Sequence, residues 1–412
     1  MTQALEGLRV IDMSHVIAGP LASFYLAQLG AEVIKIEPPA GGDVMRAAGA
    51  ATGEGDTPAG FAALNAGKRS FAVDIRQPDG AALVRQLARS ADVFIENFRP
   101  GVVARYGLDY DSIRRERENI IYCSISGFGQ DGAWAGRGAY DHVVQALTGM
   151  MMMGGDREDA PPVKVGFPVI DVAVGLLGAM SVMAALHQRA RDGRGRRIET
   201  AMTSAALALM YPAASAWLTE GRAPPRIGNR GFTGSPGADT WACRDGWLAT
   251  AANTPEQFRR FTDLLGLSAL CQDAALIDQE AFNAPGGGFV VARDAARLRA
   301  RMNEALSDRS AYDMEQALNA ASVPAARVRR LGEFIDEASS PDVGILSPWH
   351  YKQGDRELRT PGLGFRFFDQ PDTAREGAPP LGADSLRVLE ELGVDPTRAR
   401  EILRAGVVRA SD

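Results

Sequence analysis

The chain has 412 residues, of which 46% are hydrophobic and 23% charged, close to globular averages; this excludes a disordered tail, a fibre or a small disulfide scaffold and supplies roughly two to three domains' worth of chain. Forty-five Lys and Arg stand against 51 Asp and Glu, a formal net charge of −6, so no broad basic surface is expected for nucleic acid or an anionic membrane, and an anionic ligand must be held by local basic residues. Met1 to Arg9 lacks a signal-peptide pattern, and no apolar run reaches the roughly 20 residues of a membrane span, which predicts a cytoplasmic protein without membrane association.

The first 130 residues alternate short β-branched runs with amphipathic stretches, the pattern of a parallel sheet with crossover helices. Strands are expected at Leu8–Ser14, Glu32–Glu37, Ser70–Ile75, Asp92–Phe98 and Ile120–Ile125, with helices at Leu21–Leu29, Pro78–Ala91 and Asp111–Arg117. An apolar helix is read over Tyr140–Met153, closing on Met150–Met153, and a long small-residue helix over Val172–Arg191, stopped by Gly193. Pro and Gly cluster between Gly221 and Gly237 and mark a boundary. Beyond it, a hairpin at Asp239–Ala251, helices at Pro255–Leu265 and Arg297–Leu306 and a strand-like Val323–Val328 predict a small α+β domain. The tail helix Ser385–Leu392 is expected to pack back on the first domain. The fold class is thus α/β: a Rossmann-like parallel sheet in residues 1–220, completed by 340–412, with a smaller α+β domain at 225–335.

The turn after the first strand reads Ser14-His15-Val16-Ile17-Ala18-Gly19-Pro20, with one glycine where a dinucleotide fingerprint needs three. Pro20 suits a first helical turn, and the helix start there can face an anion. Lys68 and Arg69 before one strand, and Arg105 after the Glu96–Gly101 turn, are read as lying at one end of the sheet, where together they would hold the phosphates of a nucleotide-bearing cofactor. Asp171 precedes a helix and reads first as an N-cap; the same helix start would keep a poorly solvated carboxylate ionised and usable as a nucleophile. Cys123, Cys243 and Cys271 form no disulfide or CxxC pattern, and the four histidines show no metal-ligand spacing, so no metal is expected.

Many ordered motifs resemble one family. Leu5–Asp12, Ala18-Gly19-Pro20, Leu29–Glu37, Leu64-Asn65 with Lys68-Arg69-Ser70, Glu96-Asn97-Phe98, Gly127-Phe128-Gly129, Ala139-Tyr140-Asp141, the Asp171 helix, Gly193-Arg194-Gly195 and Pro379–Gly382 are similar to the class III CoA-transferases of the CaiB/BaiF family. The resemblance implies an enzyme moving CoA from an acyl-CoA to a carboxylic acid. It further implies coenzyme A as co-substrate with no permanently bound cofactor, an interlocked homodimer, and a large CoA-binding domain beside the small one. It places Asp171 as the catalytic carboxylate, and Val16, Ile17, Ala18, Leu64, Asn65, Lys68, Arg69, Asn97, Phe98, Arg105 and Tyr140 against CoA. Gly234-Ser235 resembles the glycine loop over the acyl site.

Departures from the family pattern narrow the expectation. Ile17 stands where oxalate-specific members carry glutamine, and Gly138 replaces a basic residue, with Arg137 one position away to compensate. His15 either lines the acyl site or is a loop histidine satisfied by backbone. A short or medium acid is expected as the acyl group, either a dicarboxylic acid such as succinate, with Arg46 or Arg157 meeting the distal carboxylate, or another short-chain acid. The alternatives are an alpha-methylacyl-CoA racemase, which needs a histidine near Tyr140 where His142 lies two positions on, an acyl-CoA hydrolase, and a catalytically silent acyl-CoA-binding protein.

Overall fold

The structure is a computed structural model that describes residues 3–48, 57–367 and 375–411. The chain divides into two units, 1–150 with 164–221 and 347–412, and 151–163 with 222–346. In the first, alternation of strand and helix runs β1 (Arg9–Met13), α1 (Ala18–Gln28), β2 (Glu32–Glu37), α2 (Ala59–Asn65), β3 (Arg69–Val73), α3 (Pro78–Ala88) and β4 (Val93–Glu96). It continues through α4 (Tyr110–Glu116), β5 (Ile121–Ser126), α5 (Asp141–Leu147), α6 (Val169–Asp192), β6 (Arg196–Ala201), α7 (Met202–Leu209) and α8 (Tyr211–Glu220). The second unit contributes the antiparallel strands β7 (Gly237–Cys243), β8 (Gly246–Ala252) and β9 (Ala325–Arg327) and several helices. Its core gathers Trp241, Phe258, Phe261, Leu298, Met302 and Leu318. The chain returns to the first unit with β10 (Trp349–Gln353), β11 (Arg356–Thr360), β12 (Arg375–Glu376) and β13 (Val408–Arg409).

The main sheet has the order β13-β3-β2-β1-β4-β5-β6, parallel except for β13, which runs antiparallel to β3. Its strands are near-continuous apolar runs because helices cover both faces. Ile11, Ile34, Ile36, Phe71, Phe94 and Tyr122 point to one core, and Val10, Val33, Val93, Ile95, Ile121 and Ile125 to the other. Strand order reverses between β1 and β4, so the carboxyl ends of these two strands form the switch-point crevice where open α/β sheets bind ligands. Above it α6 lies close on α1. A Cβ on Gly175 would meet the Ala18 carbonyl oxygen at 2.7 Å, and one on Gly178 would meet Ala22 Cβ at 3.3 Å.

Several expectations are corrected. The helix read over Tyr140–Met153 stops at Leu147, because Gly149 takes φ +79° and the chain re-forms only as a short 3-10 turn at Met150–Met152. Residues 151–163 group with the second unit, where the Arg226 guanidinium gathers the carbonyls of Gly154, Glu158, Ala160 and Pro161. β6 and β13 are additional strands; β6 alternates charged and half-buried positions at the sheet's edge, and β13 is two residues long. An 18-residue stretch of the 24-residue α6 has a mean hydropathy of 2.1, enough by length and composition alone to cross a membrane, but the helix packs against α1, β5, β6 and α7.

Candidate active site

The turn after β1 is the first part of the site. Val16 adopts φ +68°, a left-handed conformation unusual for a β-branched residue. Buried charges hold it there: the Val16 N–H donates to the Asp43 carboxylate, Asp43 pairs with Lys35 at 3.1 Å, and Lys35 Nζ donates to the Ser14 carbonyl at 2.8 Å. Across the switch point Asn97, just past β4, grips the same turn twice. Its Oδ1 accepts the His15 N–H at 2.9 Å and its Nδ2 donates to the His15 carbonyl at 2.8 Å.

Two cavities open at these strand ends. One, of about 480 Å³, is lined by His15, Val16, Ile17 and Ala18 from the first turn, by Asn97, Phe98 and Arg99 from the turn after β4, by Gly127, Arg137 and Tyr140, and by Asp171. The other, of about 400 Å³, lies at the ends of β1, β2 and β3, between Ile36–Pro38, Val73–Arg76 and Phe98–Tyr106. His15, Val44, Phe98 and Val102 line both, so the two are neighbouring compartments of one cleft. Arg137 stacks its guanidinium 4.5 Å from the Trp134 ring, and a Cβ on Gly138 would meet Arg99 Nη2 at 2.8 Å. Arg99 therefore fills the space beside the position where the family pattern carries a basic side chain.

Asp171 is the third residue of α6, not its cap; Pro168 occupies the cap position. The sequence reading had the helix start keeping this carboxylate ionised. The helix start does not offset the desolvation: burial, with the charge of Asp141 added, pushes its pKa up to about 6, although the group stays mostly ionised at pH 7. The N–H groups of Ile170 and Asp171 are already taken by Asp141 Oδ2, at 2.7 and 3.0 Å. His15 is held below its usual pKa by burial and is neutral at pH 7; its ring lies 5.2 Å from that of Phe98. His142 on α5 is exposed and does not line the cavity.

Other expected ligands are placed elsewhere. Lys68 precedes β3 and so sits at the amino end of a parallel strand, away from the carboxyl-end turns of Asn97 and Phe98. Its ammonium is fully buried and donates to Asp12, Ser23, Asn65 and the Pro20 carbonyl at 2.8–2.9 Å, which leaves no donor for a phosphate. Asn65 closes that cluster, Leu64 is half-buried on α2, and Arg69 pairs with Glu32, Asp384 and Glu391. Arg105 is exposed on a 3-10 turn and lines neither cavity. Arg46 is tied to Glu37 and the Pro379 carbonyl, and Arg157 pairs with Asp159 on the surface, so neither is placed to read a distal carboxylate. Gly234 and Ser235 belong to the second unit, where Gly234 has φ +73° and the buried Ser235 hydroxyl donates to the Ala252 carbonyl. The sequence reading missed Val73–Arg76 and Arg99; the signal was available, since both segments directly follow parallel strands and ligands gather at that end.

A doubly wound sheet with a raised-pKa carboxylate and two arginines at its switch point defines an α/β enzyme acting on an anionic substrate. The chain matches the model of CoA-transferase family III over residues 5–385. It is 42% identical over 274 residues to the succinate–glutarate CoA-transferase of Agrobacterium fabrum, covering 65% of this chain and 68% of that protein. It is 30% identical over 409 residues to the succinyl-CoA:glutarate CoA-transferase of Mus musculus, covering 98% and 90%. A CaiB/BaiF family protein from Brucella suis superimposes with a TM-score of 0.80 at 31% identity, covering 95% of this chain and all of that one. The chain belongs to CoA-transferase family III and is a class III CoA-transferase whose co-substrates are CoA thioesters.

Proposed function

We propose that this enzyme moves CoA between short dicarboxylic acids, with Asp171 as nucleophile. The observation that carries the reading is the placement of Asp171 in one cavity with Arg99 and Arg137, neither of which pairs with a carboxylate among the described residues. The nucleotide end of CoA fits the compartment at the ends of β1–β3, and the thioester reaches Asp171 past Phe98 and His15, which border both compartments. One arginine is then available to a phosphate and the other to the distal carboxylate of the acyl group. The names of the relatives support this class, since they act on succinate, glutarate, mesaconate and oxalate.

In the proposed sequence, an Asp171 carboxylate oxygen attacks the thioester carbonyl, the C–S bond breaks, and its electron pair leaves as CoA thiolate, giving a mixed anhydride. The thiolate attacks the aspartyl carbonyl and expels the donor acid, leaving an aspartyl-CoA thioester. The acceptor carboxylate attacks that thioester, forming a second anhydride and releasing thiolate again. Attack of the thiolate on the acceptor's acyl carbon yields the new acyl-CoA and restores the Asp171 carboxylate. Each step exchanges one activated acyl bond for another.

An interlocked homodimer is part of the proposal. It is supported by exposed Leu176 and Met180 on α6, Leu207 and Leu209 on α7, and Tyr211, Trp217 and Leu218 on α8, which present apolar surface that a second copy would cover.

The test is an exchange assay with succinyl-CoA and other acyl-CoAs against labelled free acids, read by mass spectrometry, with Asp171→Ala alongside. Label is expected in an acyl-CoA only when Asp171 is present. His15 and Asp171 share one cavity, so a histidine and a carboxylate stand near the reacting carbon even though the position near Tyr140 carries no histidine facing it. Exchange of an α-deuteron of a 2-methylacyl-CoA with water in the absence of acceptor acid would therefore favour the racemase reading. Release of free acid alone would favour hydrolysis.

A further inference from the structure

Asp141 is not consumed by the transfer chemistry, yet its carboxylate is among the most constrained groups of the site. It is buried, and its Oδ2 accepts the N–H groups of Ile170 and Asp171 at 2.7 and 3.0 Å. Its Oδ1 accepts from Gln145 Nε2, and Gln145 Oε1 in turn accepts the Val165 N–H at 2.9 Å. One turn of α5 thus clamps both ends of the segment that leads into α6.

We propose that Asp141 is a positioning residue for CoA transfer: it fixes where Asp171 projects and keeps the Asp171 carboxylate weakly stabilised by taking the helix-start donors that would otherwise solvate it. The inference rests on Asp171 being the nucleophile.

The first free N–H groups of a helix are the usual stabilisers of an acidic side chain in its first turn. Here two of them serve a second carboxylate, and the negative charge they support stands beside Asp171. Among the described residues no hydrogen bond to the Asp171 carboxylate offsets its burial, so the group is held above the ordinary carboxylate range. A less stabilised carboxylate is the stronger nucleophile towards a thioester. The other charged or titratable groups that face the cavity are His15 from the turn after β1, Arg99 from the turn after β4, and Arg137 and Tyr140 from the loop before α5; His142 is exposed outside it. A helix cap alone would require only an acceptor, which asparagine supplies as well as aspartate. The charge of Asp141 is what the proposal adds.

The experiment uses the full chain, with succinyl-CoA as probe, and measures formation of the adduct on the peptide carrying Asp171 by quenched mass spectrometry from pH 4.5 to 8. The native acid limb is expected near pH 6. In Asp141→Asn it is expected to move down by about one unit, because removal of a like charge favours the ionised form, and adduct formation at pH 7 to slow about threefold. Asp141→Glu is expected to restore the limb, with KM for succinyl-CoA within about twofold throughout. A native limb below about pH 4.5, or a limb unmoved in Asp141→Asn, overturns the proposal. A ligand-free measurement runs beside it: urea midpoints at pH 7 for Asp141→Asn, Asp171→Asn and the pair. Both single changes relieve one repulsion, so the double variant's shift is expected to fall short of their sum, and additive shifts overturn the proposal. Retention of transfer by Asp171→Asn sinks the nucleophile reading instead, whatever Asp141 does.

Discussion

With a pKa of about 6, Asp171 is roughly nine-tenths ionised at pH 7, so it is available for attack while remaining an expensive group to bury. Its folded value lies above its unfolded one, so the folded state holds this proton to higher pH. The contribution of Asp171 to stability therefore falls as pH rises from about 4 to about 6 and stays low above that. Asp171→Asn is expected to abolish transfer yet stabilise the fold by about 1–3 kcal/mol at pH 7, with the difference closing below pH 4. Urea unfolding across that range checks it, and equal or lower stability at pH 7 contradicts it. Lys68 has the opposite role to the one its sequence position implies. Burial draws its pKa down to about 8, and the Asp12 carboxylate at 2.9 Å keeps it charged. Lys68→Met leaves Asp12 short of a buried partner and is expected to cost about 3–5 kcal/mol. A phosphate ligand would instead raise KM for acyl-CoA and leave the unfolding midpoint unchanged. Nothing in Asn65-Ala66-Gly67-Lys68-Arg69 distinguishes those roles, because the acid that claims Lys68 lies 56 residues earlier.

At the scale of elements, the site depends on how closely α6 can approach α1. Gly175 lies one turn beyond Asp171, against the Ala18 carbonyl. In an exposed helix, Gly to Ala would gain up to about 1 kcal/mol. Here the added Cβ would meet a backbone oxygen, and Gly175→Ala is expected to lose about 1–3 kcal/mol and to depress turnover by displacing Asp171. A thermal melt paired with the exchange assay tests it, and a stabilised, fully active variant would refute the close-approach account. The small-residue composition of α6 was legible, and so were β1 to β5, whose β-branched runs are bounded by Pro, Gly and charged turns. The start of α6 was not. Its first turn, Val169-Ile170-Asp171, shows no capping side chain, because the acceptor that satisfies it comes from Asp141 on another helix.

For the whole molecule, the apolar side chains left exposed along α6, α7 and α8 give the proposed dimer a direct test. Sedimentation is expected to report about twice the 43.9 kDa of one chain, and Met180→Glu with Leu207→Glu to lower that mass. A native monomer at micromolar concentration would remove the dimer from the proposal. The amino-acid sequence by itself determined the parallel α/β architecture, the family and the carboxylate on the long helix, because these rest on local periodicity and on motifs written contiguously in the chain. Only the tertiary structure decided which cations face the cleft. Lys68 and Arg46 are consumed by distant carboxylates, while Arg99 and Arg137 line the cavity with Asp171. It also decided the state of Asp171, since its carboxylate is governed by burial and by the charge of Asp141, and both arise only when α5 packs across the start of α6. Charge pairing and desolvation are properties of neighbours in space, and the sequence alone does not say which neighbours those are.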